Sequence, residues 1–181
     1  MNDSKWLNYL ERFIGPISDR AIPCLPYLDW LSDKKEILDV GCGTGRLFNH
    51  LIEIGKRARG ITLNKKEIKG LKNSSDLYLG DVHKLPFRDA LFDAVIAWDV
   101  IEHTVAPFIA LSEIYRVLRP KGKFLCYIPG EDWIDCDYHC IVLNAKQFKH
   151  LSKLVGFSSV EEEHDETRSA TGGGTIYKVI K

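Results

Sequence analysis

The sequence predicts an α/β fold, an open and mostly parallel sheet with helices on both faces. Three observations carry this. From residue 36 onward, short apolar runs alternate with segments of helical periodicity. The first run, EILDV (36–40), is followed by glycines at alternate positions, Gly41, Gly43 and Gly45, and a helical pattern starts at once. The run LFDAVIAW (91–98) is almost wholly apolar, as a strand covered on both faces should be.

The elements follow in order. Residues 5–14 place Trp6, Leu7, Leu10, Phe13 and Ile14 at helical spacing, and Gly15-Pro16 stops them. A second apolar segment, 22–31, is interrupted by Pro23 and Pro26. These two pieces form a lead-in over residues 1–35 that covers the sheet's carboxyl edge or packs beside it, within one domain spanning 1–181. After strand 36–40 come helix TGRLFNHLIEI, strand RARGITL (57–63), a helix from near Asn64, and strand DLYLGD (76–81). Strand 91–98 leads to helix 107–118, whose Pro107 suits a first turn. Arg119-Pro120-Lys121-Gly122 ends that helix and leads into strand 123–129. Asn144 caps a last helix that stops at Gly156. Strands 157–163 and 174–181 close the chain as an antiparallel pair.

Composition narrows the class. At 181 residues, 45% hydrophobic and 28% charged, the chain reads as an ordinary globular domain with a sizeable core. Lysine plus arginine number 25, as do aspartate plus glutamate, so no long-range attraction to a nucleic acid backbone is built in. The basic runs KRARG (56–60) and LNKKEIKGLK (63–72) read as solvated faces. Five cysteines, at 24, 42, 126, 136 and 140, show no secreted disulfide framework, which predicts a reducing, cytoplasmic setting. The segment 135–140 offers two cysteines and a histidine but no second half for a zinc site. The first residues, MNDSKWLNYLERF, carry Asp3 and Glu11 and no long apolar core, so neither a signal peptide nor a membrane span is predicted.

The glycine turn admits three adenine-containing ligands. A nucleoside triphosphate site wants GxxxxGK followed by Ser or Thr, and no such lysine is present. A dinucleotide site wants GxGxxG and an acid about twenty residues on. Here the third glycine comes one residue early, Arg46 stands where glycine or alanine is wanted, and Thr62 replaces the acid. The adenosyl group of S-adenosylmethionine remains.

DVGCGTG (39–45) resembles the first motif of the class I S-adenosylmethionine-dependent methyltransferases. The likeness continues through GITLN (60–64), GDVHKLPF (80–87), FDAVIAWDVIEH (92–103), EIYRVLRPKGKFL (113–125) and the closing strand pair. It implies a Rossmann-like three-layer sandwich with a seven-stranded sheet of order 3-2-1-4-5-7-6, the last strand antiparallel. It also implies a cofactor site. Asp39, Gly41, Cys42, Gly43 and Gly45 would line the methionine and ribose parts, and Asp81 with Val82 would contact the adenine. Trp98 would border the cofactor, and Leu85 and Phe87 belong to the core. The family commonly has an acid after the second strand for the ribose hydroxyls; here Thr62, beside Leu63, offers a single hydrogen bond.

Alignment of an acceptor with a sulfonium methyl asks little chemistry of the protein, so the sequence reveals the donor better than the acceptor. A small-molecule acceptor is the leading expectation; a metal-assisted RNA methyltransferase and a non-catalytic cofactor-binding protein are the rivals. Asp99-Val100-Ile101-Glu102-His103 follows the fourth strand, and as a helix it would place Asp99, Glu102 and His103 on one face. His103 would then be a general base. A metal-free site is expected. Asp99, Glu102, His103 and His139 form the candidate first shell should a metal be used, an arrangement similar to that of small-RNA 2′-O-methyltransferases. A third reading gives Glu102-His103 a purely structural role. Trp133 and His139, in the loop after the fifth strand, are the candidates for acceptor binding. His50, His83, His150 and His164 are expected at exposed or helix-edge positions.

Overall fold

The computed structural model describes residues 22–68, 74–130, 139–165 and 173–181. Seven strands form one sheet: β1 (Glu36–Val40), β2 (Arg57–Thr62), β3 (Leu77–Leu79), β4 (Phe92–Trp98), β5 (Leu118–Pro129), β6 (Ser159–His164) and β7 (Gly174–Ile180). Their order is 3-2-1-4-5-7-6, and β7 runs antiparallel to both of its neighbours, as the family resemblance implies. The helices are α1 (Arg46–Glu53), α2 (Lys65–Ile68), α3 (Pro107–Val117) and α4 (Ala145–Val155).

Strand alternation divides the core in two. Ile37, Ala94, Ile96, Leu125 and Tyr127 pack toward Leu47, Phe48 and Leu51 of α1. Leu38, Val95, Ala97, Phe124 and Cys126 pack toward Ala110, Leu111 and Ile114 of α3 and Phe148 of α4. The apolar run of β4 therefore feeds both faces, which is why it carries so few polar residues.

The lead-in enters the described residues at 22, so the helix expected over 5–14 lies outside them. Leu25–Leu31 forms a 3-10 helix rather than an α-helix, with a proline in its first turn. It is fastened to the sheet by Lys123, whose Nζ donates to the Trp30 carbonyl at 2.6 Å and to Asp33 at 3.0 Å. Tyr27 stacks on Trp98, 5.7 Å between ring centroids, so the lead-in also reaches the carboxyl end of β4.

Local signals account for the helix ends. Asn144 and Gln147 form a capping box at the start of α4, and Gly156 ends it in the left-handed region at φ +114°. The largest departure from expectation is a strand boundary. β5 begins at Leu118, not 123, because Leu118 pairs with Phe92 before a register shift and Ala94 pairs next with Lys123. Arg119 anchors that irregularity by donating to Asp93 at 2.5 Å, while Asp93 also accepts the backbone N–H of Glu36 at 3.0 Å. KRARG opens β2, in line with the strand expected over 57–63: Lys56 donates to the carbonyls of Ser32 and Lys34, and Arg57 pairs with Glu36 at 2.9 Å. Among the described residues, no helix is long and apolar enough to cross a membrane.

A cleft of about 390 Å³ lined by Glu36, Lys56, Arg57, Arg59 and Asp76 opens at the amino ends of β1 and β2. Its charges pair with one another, and it lies at the end of the sheet away from the glycine turn.

Candidate active site

β1, β2 and β4 run parallel and end together, and the chemistry-bearing residues gather at that end. The turn after β1 is tied to β2 by the N–H groups of Gly41 and Cys42, which both donate to the Ile61 carbonyl, at 2.8 and 3.1 Å. Gly41 and Gly43 adopt φ of +71° and +51°, a region closed to most side chains. A Cβ on Gly41 would also lie 2.5 Å from Cγ2 of Val100, so at Gly41 the obstruction is the β4 loop, not a ligand. Cys42 contributes backbone only. Its thiol is buried beneath the turn against Gly60, and burial pushes its pKa up.

Asp39 sits under this turn, 4% exposed. The Phe48 N–H, in the first turn of α1, donates to its carboxylate, yet burial dominates and raises its pKa to about 8. Oδ2 of Asp39 has no hydrogen-bond partner among the described residues. A buried carboxylate oxygen held beside uncapped helix N–H groups and a glycine cradle is a place for a ligand's polar group.

At the end of β2, Thr62 does not face the site alone. Its hydroxyl donates to Oε2 of Glu67 at 2.5 Å and accepts the Asn64 N–H at 3.2 Å. Its proton is thereby spent, and a carboxylate from the first turn of α2 stands beside the strand end. Burial raises the Glu67 pKa, against the Thr62 hydrogen bond. Asn64 is buried with Oδ1 accepting from Lys66 N–H at 2.9 Å, which orients Nδ2 as a donor with no partner among the described residues. Sequence reading missed Glu67 and Asn64. The available signal was an acid five residues beyond Thr62, in the first turn of a helix. Leu63, between Thr62 and Asn64, is exposed.

Asp81 caps the 3-10 turn Val82–Lys84, with Oδ1 accepting from His83 N–H at 2.9 Å and lying 2.6 Å from His83 Nδ1. His83 Nε2 accepts the Ala106 N–H at 3.3 Å, so the ring's proton belongs on Nδ1. His83 is thus a half-buried strut, not a helix-edge residue without partners. Val82, Leu85 and Phe87 are buried in the core. Below this loop Arg116 makes a two-point pair with Glu113 and donates to the carbonyls of Leu85 and Phe87, while Glu113 accepts the Leu85 N–H. That clamp sets where Asp81 and Val82 stand.

At the end of β4, Trp98 stacks on Tyr127 with centroids 4.9 Å apart, and its buried Nε1 has no partner among the described residues. The helix expected from Asp99 does not form. Asp99 has φ +54°, and Ile101–His103 makes a single 3-10 turn, so Asp99 leaves the face shared by Glu102 and His103. Glu102 is 2% exposed, and its Oε1 lies 3.9 Å from His103 Nε2. The ring of His139 meets that of His103 edge-on at 5.0 Å. Three of the four residues named as a possible metal shell therefore come together, without Asp99. Trp133 lies outside the described residues.

Residues 38–126, from β1 through β5, match the family model described as a methyltransferase domain. The chain is 31% identical over 154 residues to the sterol 4-C-methyltransferase of Caenorhabditis elegans, across 77% of this chain and 44% of that protein. It is 33% identical over 125 residues to norajmaline N-methyltransferase of Rauvolfia serpentina, across 55% of this chain and 43% of that protein. The chain spans about half the length of the curated relatives it matches. Its fold is similar to the Burkholderia thailandensis 1,6-didemethyltoxoflavin-N1-methyltransferase structure, with a TM-score of 0.77 and 18% identity over 99% of this chain and 86% of that one. That structure holds 1,6-didemethyltoxoflavin and S-adenosylhomocysteine. The family model, the relatives and the strand order agree: the chain belongs to the class I S-adenosylmethionine-dependent methyltransferase family.

Proposed function

We propose that this chain transfers a methyl group from S-adenosylmethionine to a small-molecule acceptor. The observation that carries the donor half is Asp39, whose buried Oδ2 has no hydrogen-bond partner among the described residues and lies beneath a turn of left-handed glycines. S-adenosylmethionine supplies an activated methyl on a sulfonium that leaves readily. The backbone of Gly41, Cys42, Gly43 and Gly45 approaches its methionine and ribose parts, and Asp39 balances the amino group. Glu67, oriented by Thr62, accepts the ribose hydroxyls in place of a strand-end acid, with Leu63 and the Asn64 amide alongside. Asp81 and Val82 hold the adenine edge, and Trp98 closes the pocket.

Acceptor binding falls to the loops after β4 and β5. His103 and His139 face each other there, and Trp133, shortly before His139 in the sequence, stays the second candidate for acceptor binding. For an O–H or N–H acceptor, His103 is the group in position to take the proton; a carbon acceptor with an electron-rich double bond needs alignment first. A small acceptor is supported by the zero net charge, which gives no field for a polyanion, and by relatives named for a sterol and for norajmaline.

The test is calorimetric titration with S-adenosylhomocysteine and, in parallel, NADH, followed by labelled-methyl transfer onto a panel of sterols, alkaloid-like amines, phenols and short RNAs. Saturable one-to-one heat with the adenosyl ligand alone and label on a small molecule are the expected results. Heat with NADH alone would overturn the donor assignment, and label confined to RNA would overturn the acceptor class.

A further inference from the structure

We propose that Glu102, His103 and His139 form a binding site for one divalent transition-metal ion at the acceptor end of the pocket. One ligand atom from each residue lies within 4.8 Å of the other two. Glu102 Oε1 and His103 Nε2 are 3.9 Å apart, too long for a hydrogen bond. Ligands at about 2.0–2.2 Å from a common ion stand roughly 3.0–3.5 Å from one another. Small side-chain rotations close the difference.

The site is built, not incidental. The Glu102 carbonyl accepts the N–H groups of both Cys140 and Ile141, at 2.8 and 3.2 Å. That backbone clamp pins the segment carrying His139 against the turn carrying Glu102 and His103. The clamp acts through the main chain. Glu102 is deeply buried whereas both imidazoles are half-buried, so the cluster has a closed base and an open mouth.

The donor set chooses the ion. Two imidazoles and one carboxylate suit zinc, iron(II), cobalt(II), nickel(II) or manganese(II), whereas calcium and magnesium want oxygen ligands. Three protein ligands leave at least one coordination position open toward the pocket.

The consequence for the acceptor rests on the methyl-transfer reading above. An open position favours a hydroxyl acceptor. Coordination lowers the hydroxyl's pKa, its proton passes to water, and the O–CH₃ bond forms as the S–CH₃ bond breaks, releasing neutral S-adenosylhomocysteine. With the ion bound His103 acts as a ligand, so its role as proton acceptor belongs to the metal-free protein alone.

The test uses the full chain, freed of metal by chelation and titrated separately with Co(II) and Zn(II). Calorimetry gives stoichiometry and affinity, and visible absorption of Co(II) reports its coordination. One ion per chain is expected, with imidazole-type Co(II) bands and at least tenfold weaker binding in both His103→Ala and His139→Ala. Glu102→Gln, checked for folding by circular dichroism, removes the ligand charge at constant shape and is expected to weaken binding as well. Absence of saturable binding, or binding that survives both histidine substitutions, overturns the proposal. S-adenosylhomocysteine titration of the same metal-free protein separates the two readings: its failure sinks the donor site and leaves the ion result standing.

Discussion

The hydroxyl of Thr62 donates to Oε2 of Glu67 at 2.5 Å, joining the end of β2 to the first turn of α2. A neutral strand-end residue thereby positions a carboxylate where the ribose of an adenosyl ligand is expected. Hydrogen bonds to a charged group are worth about 1.5–3 kcal/mol, so Glu67→Ala should weaken S-adenosylhomocysteine binding roughly 10- to 100-fold. Glu67→Gln should fall between the two. If titration shows unchanged affinity in Glu67→Ala and only a lower melting temperature, the carboxylate is a helix cap and nothing more.

Asp39 links binding to pH. Burial raises its folded pKa from 3.8 to about 8, so between those values the folded protein holds a proton that the unfolded chain releases. Stability of the ligand-free protein therefore falls as pH rises through that window. A bound ammonium group favours the carboxylate, so adenosyl-ligand binding near neutral pH should release a proton and tighten as pH rises. Binding heats measured in two buffers of different ionisation enthalpy check this. Asp39→Asn should abolish the buffer dependence and stabilise the free protein at the alkaline end.

Gly41 and Gly43 are both left-handed, but their surroundings differ. An alanine at Gly43 costs the backbone term, about 1–2 kcal/mol. At Gly41 the added Cβ also collides with Val100 at 2.5 Å. Denaturant titration should show Gly41→Ala to be the more destabilising by at least about 1 kcal/mol. It should also disturb the turn that carries Glu102.

Arg116 holds the loop of Asp81 and Val82 through Glu113 and the carbonyls of Leu85 and Phe87. Arg116→Ala should destabilise by about 1–3 kcal/mol, as loss of charged hydrogen bonds in a half-exposed setting does. Lysine cannot reproduce the planar fork, so Arg116→Lys should recover little of the loss in chemical denaturation.

Much of this was legible in the chain. The strand order follows the family resemblance, and the Asn144 cap and Gly156 stop are local signals that survive in the fold. The split of β4 between two cores follows from its apolar composition. Asp99 was misread because helical spacing was assumed across a residue that turns left-handed at the strand end. The early start of β5 was missed because Arg119–Gly122 reads as a turn; Leu118 pairs with Phe92 across a register shift that no local pattern announces.

Periodicity, glycine placement and caps are short-range quantities, and they determined by themselves that Asp39, Thr62, Asp81, Trp98 and His103 stand at one end of a sheet. Which atoms meet there depends on how the loops leave the strands. Glu67 reaches Thr62 because α2 folds back over the end of β2, a turn that periodicity does not describe. His139 reaches Glu102 and His103 because the Glu102 carbonyl gathers the backbone of Cys140 and Ile141. That second contact joins segments distant in sequence, so only the tertiary structure could decide it.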